Sequence, residues 1–286
     1  MAWSATLRLD YRRDSAEPRG TAAAAARTVA HAQHDGPLRV LKALYPEGEA
    51  ICHHVVLHPP SGLVAGDSLA LALNLGPGSH ALLTTPGATR CYRSTGETAR
   101  QSVRASLAEG ARLEWLPQEN IVYSGALMVN DQRFELAPGA EMMGWDMLSL
   151  GLPASDAPFV AGQVRQRIEV AGLWLDQAQI AANDSLLLNS PLGLAGRRAL
   201  ATLWLVWGHT PADAVAQAAL DLARDLLQNL PEGVAAGATR VHPRLLVLRV
   251  LGHRIEPLAG LLRAVRAAWR GALWQLPATE PRVWGT

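Results

Sequence analysis

Lysine is almost missing from this chain. Lys42 is the only one in 286 residues, and the other basic side chains are arginine. A phosphate-binding loop of the Gly-Lys-Ser/Thr kind needs a lysine straight after its glycine. Lys42 follows Leu41, so nucleotide hydrolysis by that route is excluded, and any nucleotide-driven step belongs to a partner. Together with the abundant alanine, the arginine bias reads as genomic composition; no arginine cluster reads as a phosphate clamp. Cysteine is scarce too: Cys52 and Cys91 are too few for a disulfide scaffold. No apolar run reaches the ~18 residues of a membrane span. The Ala22 to Ala26 run is short and flanked by Arg19 and Arg27, so it does not read as a signal peptide. The expected compartment is therefore the cytoplasm. An excess of positive charge is also lacking. A formal net charge of +1 argues against a general nucleic-acid binder. The chain has no His-Glu-x-x-His, no Gly-x-Ser-x-Gly elbow and no dinucleotide fingerprint.

What is present is apolar residues and strand patterning. Hydrophobic residues make up 49% of the chain, enough for a sizeable core. Up to about residue 207, strand signals dominate. Gln101 to Leu107 alternates polar and apolar, and Val164 to Val170 mostly does the same, as half-buried strands do. Leu82-Leu83 and Leu203 to Trp207 are apolar throughout and suit strands covered on both faces. Leu75 precedes Gly78, Leu107 precedes Gly110 and Leu136 precedes Gly139, and Ser79, Ala111 and Ala140 follow those glycines. This repeat suits successive layers of a stacked or helically wound β architecture, or ordinary hairpins of a sandwich. Residues 208–286 read as helix, strand, helix. Thr210 caps the first helix and Pro211 opens it, with Val215, Ala219, Leu222 and Leu226 as its apolar stripe. Leu245 to Val250 is the strand. The second helix starts near Pro257 and sets Leu258, Leu262, Val265 and Trp269 on one side, with Arg263, Arg266 and Arg270 on another. No linker divides the chain, so residues 1–286 are expected to form one mainly β domain with two helices in its C-terminal third.

Two sets of residues are candidates for chemistry. Glu114 and Glu119 sit inside the apolar run Leu113 to Ile121, and Asp67 and Asp146 lie in similar surroundings. A buried carboxylate is costly unless it is paired, protonated or bound to a cation. Asp67 with Arg90 forms an ordinary structural ion pair on one reading. On the other, the four acids line a wet internal passage for a divalent cation, which needs sites easy to enter and to leave. Cys52, His53, His54 and His58 form the second set. On a strand Cys52 and His54 point one way and His53 the other, and ~13 Å separates His54 from His58 along an extended chain, too far for one compact site. Half-buried histidines and a transient nickel stop at Cys52 and His53 both fit. A metal-dependent hydrolase with its site around His54, His58 and Asp67 is the competing reading, and a scaffold without metal contact is a third.

Seven segments in order carry a resemblance. They are Tyr45-Pro46-Glu47-Gly48, Cys52-His53, the proline-glycine-aspartate segment His58 to Asp67, and Thr84-Thr85-Pro86-Gly87-Ala88. Leu116-Pro117-Gln118-Glu119, Gly151 to Ser155 and Trp269-Arg270 complete the set. Together they resemble the urease accessory protein family UreD, also called UreH, over roughly Leu7 to Trp284. The resemblance implies a mostly β protein with helices packed on it, and no catalytic activity of its own. It implies binding to apo-urease and to a UreF-type protein, with a nickel-loaded UreG-type GTPase recruited through UreF. The assembly delivers nickel to the dinickel centre of urease. This chain would then be an adaptor and conduit with no tightly bound cofactor, which Ni2+ crosses transiently. Its exposed apolar residues would leave it poorly soluble alone; its nine tryptophans suit interface anchors, though a large core is the better home for most. The family usually has lysine at Arg90, an aromatic at Cys91 and arginine at Leu152, so roles tied to those side chains do not carry over.

Overall fold

The computed structural model describes residues 2–14 and 26–285, so most of the Ala22 to Ala26 run lies outside the described residues. From Ser68 to Val170 the longer strands alternate between two sheets. Ser68–Leu75, Ala99–Leu107, Leu127–Leu136 and Gln163–Val170 are parallel neighbours in a seven-stranded sheet. His80–Thr84, Arg112–Leu116 and Glu141–Leu152 come between them in sequence and are parallel neighbours in a twelve-stranded sheet. The chain therefore winds as stacked coils, and the repeat seen in the sequence is its rung. Leu75 pairs with Leu107, and Leu107 with Leu136, in register. Gly78, Gly110 and Gly139 turn each rung at φ of 63°, 66° and 77°, a region where a side chain would strain the backbone.

The ends of both sheets are antiparallel. Ser4–Asp14 joins the first sheet parallel to Ser68–Leu75 and pairs antiparallel with Arg27–Asp35. Ala199–Trp207, Leu245–Gly252 and Ala235–His242 extend the second sheet. The region after residue 207 is thus helix, hairpin, helix, not helix, strand, helix. The missed strand, Ala235–His242, is an edge strand rich in alanine and glycine and carries little apolar alternation.

Strand parity sorts the interior into two layers. Leu7, Leu9, Leu71, Leu73, Val103, Trp115, Met128, Phe134, Val164 and Trp204 fill the space between the sheets. Met143, Trp145, Leu203, Leu205 and Leu248 face the other side of the second sheet, where two helices cover them. Six of the nine tryptophans are buried, so most of them serve the core.

Among the described residues there are three α-helices. α1, Ser185–Asn189, is one short turn capped by Asp184 and was not foreseen. α2 is Asp213–Leu226 and α3 is Ile255–Trp269. α3 matches its expected face: Leu258, Leu262, Val265 and Trp269 are fully buried. Burying each such side chain stabilises by about 1.5–3 kcal/mol. α2 does not match. Its N-cap is Ala212, with no side-chain cap, so Thr210 and Pro211 lie before the helix. Its buried face is Ala216, Ala219, Leu220 and Ala223, while Val215 and Leu226 are exposed. Small residues let α2 approach closely, and the Trp269 indole donates to the Ala219 carbonyl at 2.7 Å. Among the described residues, no helix is long and apolar enough to cross a membrane.

Candidate functional site

Three of the segments singled out in the sequence meet at one end of the stack. His58, Pro59 and Ser61, Thr85 to Thr89, and Pro117, Gln118 and Asn120 line a cavity of about 410 Å3 between the sheets. Trp115, Leu71 and Val103 form part of its apolar wall. Two polar groups face this space: both ring nitrogens of His58 and the Oδ1 of Asn120 are buried with no hydrogen-bond partner among the described residues. Burial lowers the pKa of His58, so its ring is neutral.

The four acids do not line one passage. Glu114 alternates with Leu113 and Trp115, which face the inter-sheet core, so its carboxylate faces the helices. There it meets Arg266 Nε at 2.7 Å, with Arg270 Nε and His80 Nε2 both at 3.4 Å. Burial alone would raise its pKa; the Arg266 guanidinium, with His80 and Arg270, outweighs burial and holds the carboxyl at about 2. Glu47 continues the cluster, bonding Arg270 Nη2 and His53 Nε2 at 2.7 Å each. The two arginines also donate to the carbonyls of Thr279 and Pro277 at 2.9 Å. Two acids and two arginines therefore neutralise each other and strap α3 and the C-terminal segment to the sheet. No charge is left over there for a metal.

Asp67 is a backbone bracket. Its carboxylate accepts the N–H of Trp3 at 2.7 Å and of Val64 at 2.9 Å. The expected ion pair with Arg90 does not form: Arg90 is exposed, and the buried carboxylate is satisfied by main-chain donors from its own turn and from Trp3, just before the first strand. Glu119 is half-buried beside Glu256 and Arg263, and burial raises its pKa.

Asp146 is different. Met142, Leu148 and Leu150 on its strand belong to the inter-sheet core, and Asp146 shares their parity. Its carboxylate accepts from Asn130 Nδ2 at 2.8 Å, Gln132 Nε2 at 2.6 Å and Gln166 Nε2. Among the described residues no cationic side chain pairs with it, and Asp176 lies near enough to add repulsion. Burial, opposed by the three amides, pushes its pKa up to about 6. Asp146, Gln166 and Asp176 border a second inter-sheet cavity, of about 300 Å3. Gln132 also accepts from Trp115 Nε1 at 2.9 Å. A polar partition, Trp115–Gln132–Asp146–Gln166, thus runs from the wall of the first cavity to the wall of the second.

The cysteine and histidine set is split as strand parity requires. Cys52 and His54 face the inter-sheet core, with Cys52 Sγ 3.9 Å from His54 Nδ1. The Tyr11 hydroxyl is hydrogen-bonded to that same Nδ1 at 2.7 Å. Burial pushes the Cys52 thiol up to about 11 and His54 down to about 4. His53 points the opposite way, to Glu47. Among the described residues, no group of three or more His, Cys, Asp or Glu side chains could hold a metal ion.

Comparison with known proteins agrees with the segments. The family model described as "UreD urease accessory protein" matches residues 4–285. Urease accessory protein UreD of Leptothrix cholodnii is 52% identical over 286 residues, covering all of both chains. That of Polaromonas naphthalenivorans is 51% identical over 284 residues, 99% of each chain, and that of Variovorax paradoxus 51% over 286, covering both entirely. The chain belongs to the UreD family. UreD proteins are accessory factors of urease, not enzymes, so this chain serves urease maturation. The hydrolase reading around His54, His58 and Asp67 falls, and the structure agrees: Tyr11 occupies His54 and backbone amides occupy Asp67.

Sequence reasoning passed over the partners that decide each acid's role. Arg266 and Arg270 were visible as polar breaks at four-residue spacing beside the apolar stripe of α3. Asn130 and Gln132 share strand parity with Met128 and Phe134, which puts two amides on the apolar side of a strand. That signal was legible and pointed to the Asp146 cage.

Proposed function

We propose that this UreD-family chain is the adaptor of a urease-activating assembly in the cytoplasm, binding apo-urease and a UreF-type protein. A UreG-type GTPase joins through UreF and supplies nucleotide hydrolysis, which this chain has no loop to perform. Exposed Trp3, Leu44, Val64, Val160, Leu186 and Leu192 supply apolar contacts of the kind partner surfaces cover. Nickel crosses the chain transiently through the space between the sheets. The observation that supports this route is Asp146, a carboxylate buried in that space between two cavities and, among the described residues, without a counter-cation. Glu114 has no part in the route, because its charge is cancelled. Asp67 is occupied by backbone amides and Glu119 sits beside Glu256 and Arg263 of α3, so neither lines the first cavity and neither belongs to the route. Cys52 and His53 do not face a shared space, and neither forms a stop for nickel.

The test is co-expression of urease with the accessory proteins and either native chain or Asp146→Asn. The complex assembles in both. Activation falls by at least about tenfold in the variant, since a doubly charged ion ~4 Å from a buried carboxylate gains several kcal/mol even at an effective dielectric of about 20. Full activation by Asp146→Asn would end the route through this space.

A further inference from the structure

The cage around Asp146 holds a polar atom that its hydrogen bonding does not explain. Asn130 is 2% exposed. Its Nδ2 donates to Asp146, but its Oδ1 is buried without a partner among the described residues. A buried amide oxygen left this way is costly unless it has a second use. Gln166 donates to the other carboxylate oxygen and borders the second cavity, whose lining includes Arg249 and Asp176, paired at 2.9 Å. The three amides are not equivalent. Gln132 accepts from Trp115 Nε1, so its oxygen is engaged and its N–H stays aimed at Asp146. Asn130 and Gln166 have no such restraint on their oxygens.

Resting on the nickel-route reading above, we propose that Asp146, Asn130 and Gln166 form an oxygen transfer site for a hydrated divalent cation, opened by turnover of the two amides. Without a cation, both amides present N–H groups and shield the carboxylate. An arriving cation reverses the preference. Each amide turns about its terminal torsion and presents oxygen, while Gln132 holds the carboxylate in place as a positioning residue. One carboxylate and two neutral amide oxygens leave the remaining positions of an octahedral ion to water. Such a set has no thiolate or imidazole, which are the ligands that retain nickel tightly. It therefore binds weakly and releases readily, as a transfer step requires. The lone Oδ1 of Asn130 is the resting state of one ligand.

The full chain, freed of metal, is titrated calorimetrically with NiCl2, with thermal unfolding run on each variant to check its fold. The native chain binds one ion at about 0.1–1 mM, the weak end for oxygen sites. Asp146→Asn loses that binding, and Asn130→Ala weakens it severalfold. Gln166→Glu tightens it by roughly tenfold, because a carboxylate replaces an amide ligand beside the same ion; a purely structural hydrogen bond predicts no gain. No change in affinity for Gln166→Glu in a folded protein overturns the proposal, as does native-level binding by Asn130→Ala. These outcomes separate from those of the route itself. If Asp146→Asn impairs urease activation but Gln166→Glu leaves affinity unchanged, the route stands and the amide site falls. If affinity responds as stated while Asp146→Asn activates urease fully, the site stands and the route falls.

Discussion

Glu114 offers the sharpest quantitative test of how this fold is held. The perturbation is Glu114→Gln, paired with Arg266→Met. A carboxyl held at about 2, against an ordinary 4.5, corresponds to roughly 3 kcal/mol of folding free energy. Because the folded value is depressed, that stability is fully present above pH 4.5 and is lost as pH falls toward 2. The ion pair is completely buried, with side-chain exposures of 1% and 0%. Removing one partner therefore leaves an uncompensated charge in the interior, at a cost of about 3–5 kcal/mol. Removing both relieves that penalty, so the double variant is less destabilised than the sum of the two singles. Urea unfolding followed by tryptophan fluorescence at pH 7 measures all four proteins. Repeating it between pH 5 and 3 shows the gap between native chain and Glu114→Gln narrowing with acid. A gap that holds constant with pH, or a double variant whose loss equals the sum of the singles, refutes the assignment of Glu114 as the neutralised strap of α3.

Two further outcomes follow from the same reasoning. Asp67→Ala leaves the amides of Trp3 and Val64 without their acceptor and costs about 2–3 kcal/mol, whereas Arg90→Ala changes thermal stability by about 0.5 kcal/mol or less; equal losses would restore the ion pair that the structure lacks. Burial places the Cys52 and Cys91 thiols at about 11 and 12, so at pH 8 the native chain reacts with a disulfide reagent far more slowly than the urea-unfolded chain, where both thiols appear at once.

The coils were legible because their determinants are local. A leucine three residues before a glycine, repeated at 75, 107 and 136, marks a rung whose turn needs positive φ, and those leucines do pair in register. The face of α3 was legible for the same reason, since four large apolar residues at helical spacing admit one buried side. α2 was misread because volume, not hydropathy, decides its packing: Trp269 reaches the Ala219 carbonyl only where the facing side chains are small. The strand Ala235–His242 was invisible because an edge strand is specified by its neighbour more than by its own residues.

The acids show where sequence reasoning stops. Glu114 and Asp146 interrupt similar apolar runs, and nothing within either run separates them. Strand parity sends one to the helix side of a sheet and the other between the sheets. The counter-charge of Glu114 then comes from Arg266, 152 residues later, a pairing that no local pattern encodes. The partners of Asp146 lie 14, 16 and 20 residues away, on neighbouring rungs, and all are neutral. Burial imposes the same problem on both carboxylates and the fold solves it in opposite ways. Charge cancelled by arginine holds a helix in place and is closed to ions. Charge supported only by amides keeps its attraction for a cation, and its ligands are ones that can turn.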